Sequence, residues 1–255
     1  MTDSNNQWEK LTLGHIPSGD PVIWDISLHA HGVTHKHEYE NQDLLQRTIF
    51  FHCVMHSDNW KIMGLNFDPN NGEMKHFENY PETTLGVASS LKDIAALLES
   101  AQTILQDRYD EMVRIGARTY KEIIIDLETG AFLPAIMIFI DNAYDVLPDE
   151  LKSLPAEERD IRFGIAQNIA RLARIGRSAG VHILVGHTGV SQPQRRFLPR
   201  EDVDFVLRPS VKNPSMTDLD GVEFSVEDVS YEDFDASFSK NLHMTNSLNR
   251  LVQFM

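Results

Sequence analysis

The chain has 255 residues, 42% of them hydrophobic and 24% charged, which is room for one sizeable α/β core and the composition of an ordinary globular protein. Its 23 basic and 38 acidic residues leave a formal charge of −15, a field that repels a nucleic-acid backbone unless basic side chains gather locally. No apolar run reaches the roughly 18–20 residues of a membrane span, and the amino terminus lacks the basic and apolar regions of a signal peptide, so the expectation is a cytoplasmic protein with no membrane partner. Cys53 is the single cysteine, which excludes an intrachain disulfide and a cysteine-based zinc site.

In chain order, hydrophobic runs and breakers predict short strands at Pro21–Ile26 and Ala30–Thr34, a helix from about Asp43 to Met55, and a buried strand at Trp60–Phe67. A strand at Leu85–Ala88 follows, then a long amphipathic helix from about Ser90 to Ile115, where Leu91, Ile94, Leu98, Ala101 and Leu105 recur at helical spacing. Gly116–Gly130 reads as an excursion. The continuous apolar run Ala135–Ile140, ended by Asp141, is what a central parallel strand buried on both faces requires. A helix from about Glu157 to Arg177 leads through Ser178-Ala179-Gly180 into a buried strand at Val181–Gly186, with another strand at Asp204–Arg208. This alternation predicts an α/β fold, with a mostly parallel sheet and helices on both faces. We divide the chain into an extension with a lead-in strand (residues 1–20), a core (21–210) and an acidic arm or hairpin packed on it (211–255).

Five blocks in this order resemble the FtsK/SpoIIIE/HerA group of DNA-pumping motor ATPases: Leu11 through Asp25, His31-Gly32 leading to Leu45-Gln-Arg-Thr-Ile49, Phe67-Asp68-Pro69, Ile138-Phe-Ile-Asp-Asn142, and Ile169 through His182. The last is the most specific, a helix ending in Gly176-Arg-Ser-Ala-Gly-Val-His182 before a buried strand. The resemblance implies a RecA-like P-loop NTPase fold, an ATP and Mg²⁺ cofactor, ring-shaped homo- or hetero-oligomers and double-stranded DNA as the partner.

The positions that carry the family's chemistry are substituted. The resemblance places the phosphate loop, Gly-x-x-x-x-Gly-Lys-Ser/Thr, on residues 36–43. Lys36 and Asn41 then stand at the glycine positions, Gln42 at the lysine position and Asp43 at the hydroxyl position. Glycines let such a loop turn its amides onto phosphate, the lysine neutralises charge and the hydroxyl ligates Mg²⁺. No glycine lies between Gly32 and Gly64, and Glu38, Glu40 and Asp43 bring carboxylates where a triphosphate would sit. Where the family carries Asp-Glu at the end of the central strand, this chain carries Asp141-Asn142, and an amide is no base. The family's γ-phosphate sensor becomes Gly186-His187-Thr188-Gly189, and Asn70 replaces the lysine after Asp-Pro.

The first reading is therefore a motor-family domain that has lost hydrolysis and serves as an assembly or partner subunit, with no cofactor and with DNA disfavoured by net charge. The alternative is an active ATP-dependent translocase of double-stranded DNA. A third is a metal-binding protein using His29, His31, His35 and His37, whose His-x-His spacing sets imidazoles on common faces of extended chain. Asp141 could equally cap the turn after its strand. Arg174 and Arg177 resemble the arginines that ring motors direct at a neighbouring subunit's nucleotide; otherwise they pair with Glu157 or Asp160 or cap their helix.

Overall fold

The computed structural model describes residues 7–36, 42–67, 73–128, 130–188, 205–209, 215–217, 223–225 and 230–237. Ala135–Ile140 lies in a fully buried strand, β8 (Ala135–Asp141), and its two faces feed two different cores. Ile136, Ile138 and Ile140 face one apolar cluster, and Ala135, Met137 and Phe139 the other, as the two-residue period of a strand dictates. Around it stand β3 (His31–Lys36), β4 (Trp60–Asn66), β5 (Thr84–Ala88), β9 (Val181–Thr188) and β10 (Phe205–Pro209). They pair in parallel in the order β10-β3-β9-β8-β4-β5.

The helices cover both faces. On one, α2 (Leu91–Ile115) and α3 (Ala156–Ile175) bury Ile94, Leu98, Leu105, Ile165 and Ile169. On the other, α1 (Gln42–Met55) buries Leu45, Ile49, Phe50 and Cys53 against Trp60 and Phe139. Ser90 starts α2 by accepting the Asp93 N–H at 3.2 Å, and Gly116 ends it at φ 72°. Trp60 is fully buried, and its indole N–H donates to the Trp8 carbonyl at 3.0 Å. The 116–130 segment holds a 3₁₀ turn (Tyr120–Glu122) and the first strand of the small hairpin β6 (Ile124–Asp126) and β7 (Ala131–Phe132).

The sheet continues beyond β10 into an antiparallel half formed by the two ends of the chain. β11 (Ser215–Thr217) and β12 (Glu223–Ser225) follow β10, and β12 pairs with β1 (Lys10–His15), which pairs with β2 (Pro21–Asp25). A short helix over 231–237 lies on α1, where Phe234 stacks on Phe51 with ring centroids 3.9 Å apart. Arg47 of α1 sits 5.6 Å from the centroid of the Tyr231 ring.

The signature turn between α3 and β9 is built on two glycines with different duties. Gly176 has ordinary dihedrals, but a Cβ there would stand 2.4 Å from the Leu172 carbonyl oxygen and 2.8 Å from that of Val181. Gly180 takes φ +71°, and a Cβ would meet the Tyr120 ring at 2.7 Å. α3 accordingly stops at Ile175 rather than at Arg177, and residues 177–179 tighten into a 3₁₀ turn.

Two buried histidines couple this packing to pH. His182 donates from Nδ1 to the Ala30 carbonyl at 3.1 Å, and burial beside His31 lowers its pKa to about 3. His52 donates from Nε2 to the Trp8 carbonyl at 2.9 Å, and burial lowers its pKa to about 4. The unfolded chain binds these two protons below about pH 6.5 and the folded chain does not, so stability falls as pH drops through that window. Denaturant titrations should give roughly 2–3 kcal/mol less stability at pH 5.5 than at pH 7, with both histidines contributing. Equal stability at the two pH values would contradict these buried neutral states.

Candidate functional site

In an open parallel sheet the ligand crevice lies outside the carboxyl ends of strands whose connections leave in opposite directions. Here β3 connects through α1 to β4 on one side, while β10, the next strand after β9, lies on the other side of β3. The crevice is therefore at the ends of β3, β9 and β8. In register, Lys36 lies opposite Thr188 and His35 opposite His187; Ile140 faces Val185, and Asp141 faces Asn66. Four positions named from the sequence, Lys36, His187, Thr188 and Asp141, thus end three neighbouring strands at one edge. Gln42 and Asp43 open α1, so the segment from 36 to 43 is the strand-to-helix connection at this crevice. Asn41 and residues 37–40, like Asp68-Pro69-Asn70 and Gly189, lie outside the described residues.

The end of β8 is tied into its own turn. Asp141 is 2% exposed, and its Oδ1 accepts the Asn142 N–H at 2.9 Å. Asn142 is the one non-glycine at positive φ among the described residues, with φ 51° and ψ 53°. Its amide Nδ2 donates to Asp145 Oδ2 at 2.6 Å. Asp145 is held from α3 in turn, because Arg162 donates to its carbonyl and binds the Glu158 carboxylate at 2.9 Å. Asparagine tolerates the left-handed region better than most residues, and a longer acidic side chain would lose both that tolerance and the bond to Asp145. Sequence reasoning named Asp141 and Asn142; it missed Arg162 and the buried Asn66, whose partners are set by folding rather than by spacing.

The other named residues lie elsewhere. Arg174 and Arg177 are exposed at the carboxyl end of α3, at the amino edge of the sheet, and Arg177 Nη2 donates to the Ser27 carbonyl at 2.6 Å. His29 is exposed in the turn before β3, whereas His31 is buried in β3, where Nδ1 accepts the Ile183 N–H at 3.1 Å. His37 and the side chain of His35 lie outside the described residues, and among those described no group of three His, Cys, Asp or Glu side chains is placed to hold a metal ion. No described helix is long and apolar enough to cross a membrane.

No family model matches the chain. It is 24% identical over 176 residues to the DNA translocase SftA of Bacillus subtilis, a match spanning 68% of this chain and 17% of that protein. Over 200 residues it is 24% identical to the DNA translocase FtsK of Pseudomonas aeruginosa, across 72% of this chain and 24% of that one. The chain thus spans less than a quarter of the length of either relative. Among solved structures, the conjugation coupling protein TcpA of pCW3, in its monomer form with ATPγS, superposes with a TM-score of 0.65 at 15% identity, covering 81% of this chain and 56% of that one. EssC ATPases 2 and 3 from Geobacillus thermodenitrificans give 0.65 at 11% identity, covering 96% and 50%. The order of the parallel strands and the likeness to these solved structures give the chain the RecA-like α/β fold of P-loop ATPases, and in sequence it is similar to FtsK-type DNA translocases.

Proposed function

We propose that this domain keeps the frame of a DNA-translocase motor but neither binds nor hydrolyses ATP productively, and that it works as an assembly or partner subunit. The observation that carries the reading is the end of β8. Asn142 stands where a motor needs the glutamate that polarises water, in a left-handed conformation, with its amide committed to Asp145. The residues do not fit a Mg²⁺-triphosphate. Asp141 is already bonded to the adjacent amide, and the connection from β3 to α1 has Gln42 and Asp43 in place of the lysine and hydroxyl. The strands and helices around these positions are fully formed, so the substitutions fall on chemistry rather than on scaffold.

The partner role draws on Arg174 and Arg177, exposed together at the end of α3, where a neighbouring subunit can reach them. A second reading, an active double-stranded DNA translocase, is favoured by the two relatives named DNA translocases and by Asp141, which remains at the end of β8. Calorimetric titration with Mg-ATP, paired with hydrolysis assays with and without linear double-stranded DNA, separates the two. The first reading expects neither saturable binding nor turnover.

A further inference from the structure

The short helix over 231–237 behaves as a ligand that the chain carries for itself. It has seven residues, and an isolated helix of fewer than about 12 is marginal in water, so its order comes from the surface it lies on. Ser230 starts it, with Oγ accepting the Asp233 N–H at 3.1 Å. Tyr231 and Phe234 stand three residues apart, hence on one face, and both are buried; Glu232, Asp233 and Asp235 are exposed.

That surface is an aromatic groove between α1 and the segment after β4. Phe51 of α1 stacks on Phe234 and meets the Tyr231 ring edge-on, with centroids 5.3 Å apart. His76, from the 3₁₀ segment Glu73–Asn79, stacks on Tyr231 at 3.9 Å. The Tyr80 hydroxyl donates to the Asp235 carboxylate, and Arg47 sets a cation beside the Tyr231 ring. The groove therefore selects two aromatic anchors at i and i+3 and a carboxylate at i+4, and the Arg47 charge on its rim suits an acidic segment. These groove residues belong to neither β11 nor β12, the strands that precede the arm, so the same contacts form whichever copy of the chain supplies it.

We propose that the groove between α1 and residues 76–80 docks the 230–237 arm of a second copy of this chain in exchange for its own. A second copy brings an identical segment and identical contacts, which is how exchanged elements join protomers without new surface. Segments fixed by a few contacts open at lower free energy than a core, and an emptied groove exposes Phe51 and the rings around it, an apolar patch that needs cover. Within one chain the arm's effective concentration is on the order of millimolar, so in dilute solution each groove holds its own arm, and exchange shows when that arm is disabled. Arm exchange supplies a contact for the assembly role proposed above and rests on that role for its purpose alone. Mg-ATP titration decides whether the crevice is silent; mass in solution decides the exchange.

Two full-length variants test it by complementation. Phe234→Ala disables the arm and keeps the groove, whereas Phe51→Ala disables the groove and keeps the arm. Two aromatic anchors give a Kd on the order of 0.1 mM, so sedimentation equilibrium is run up to about 0.5 mM of each chain. Each variant alone is expected at the mass of one chain, and the equimolar mixture as a one-to-one complex of twice that mass. If Phe51→Ala fails to fold, His76→Glu, at an exposed position, takes its place, because a carboxylate there removes the stack on Tyr231 and repels the acids of the arm. A mixture that stays at the mass of one chain, or a single variant that associates as far as the mixture does, overturns the proposal.

Discussion

Replacing Gly176 with alanine should cost about 3 kcal/mol of stability, a large part of what a domain of this size has. The reason is contact, not conformation. Two backbone carbonyls, those of Leu172 and Val181, stand 2.4 and 2.8 Å from where the new methyl would lie, and neither can move without shifting α3 or β9. Gly180→Ala combines a similar collision, with the Tyr120 ring at 2.7 Å, and a left-handed backbone that costs an L-residue about 1–2 kcal/mol. Gly164 supplies the control. It lies inside α3 with nothing within 4 Å of the position a methyl would take, and alanine there should stabilise by about 0.5–1 kcal/mol. Urea denaturation of the three variants checks the ranking; a neutral Gly176→Ala would mean that the signature turn is not packed as described.

Rebuilding the phosphate loop should restore binding without turnover. A chain carrying Lys36→Gly, Asn41→Gly, Gln42→Lys and Asp43→Thr regains the pattern that cradles a triphosphate, yet Asn142 still stands after Asp141 where a glutamate would polarise water. Adding Asn142→Glu should raise hydrolysis by about 100-fold or more over the loop-restored chain, the typical weight of a positioned general base. Asn142→Glu alone should give no turnover, and it should destabilise the turn by about 1–3 kcal/mol because it strains the left-handed position and gives up the bond to Asp145. Turnover in the loop-restored chain that equals that of the chain with all five changes would show that another group does the work assigned to the missing glutamate.

What the sequence discloses is the part of the fold that short-range pattern controls. Ala135–Ile140 is apolar without a break because it is buried on both faces, and α2 shows its stripe because one side of it faces the core. The antiparallel half of the sheet is far less legible. β11 and β12 are three residues each, too short for alternation to register, and their place between β10 and β1 joins segments about 200 residues apart. Arg108 is a similar case. It reads as a solvated residue of α2, but it is 6% exposed, and its guanidinium donates to the Ala179 and Pro134 carbonyls at 2.6 and 2.7 Å. Burial lowers its pKa to about 10, and no spacing in the sequence points to partners so distant.

The same division holds at the crevice. Asp141 could be named because a carboxylate ending an apolar strand is conspicuous, and Asn142, Lys36, His187 and Thr188 because the resemblance placed them. The strand register sets Lys36 beside Thr188, with β8 and Asp141 one strand further on. The left-handed backbone of Asn142, its bond to Asp145 and the Arg162 contact that holds Asp145 are consequences of packing between β8 and α3, and they are invisible until the chain is folded.

The most direct test of a motor frame without a working nucleotide site is calorimetric titration of the full chain with Mg-ATP up to millimolar concentration. No saturable heat beyond dilution is expected. A saturable isotherm in the micromolar range that Gln42→Ala abolishes and Arg174→Glu leaves intact would contradict it, because that pattern would put a triphosphate in the connection between β3 and α1 after all.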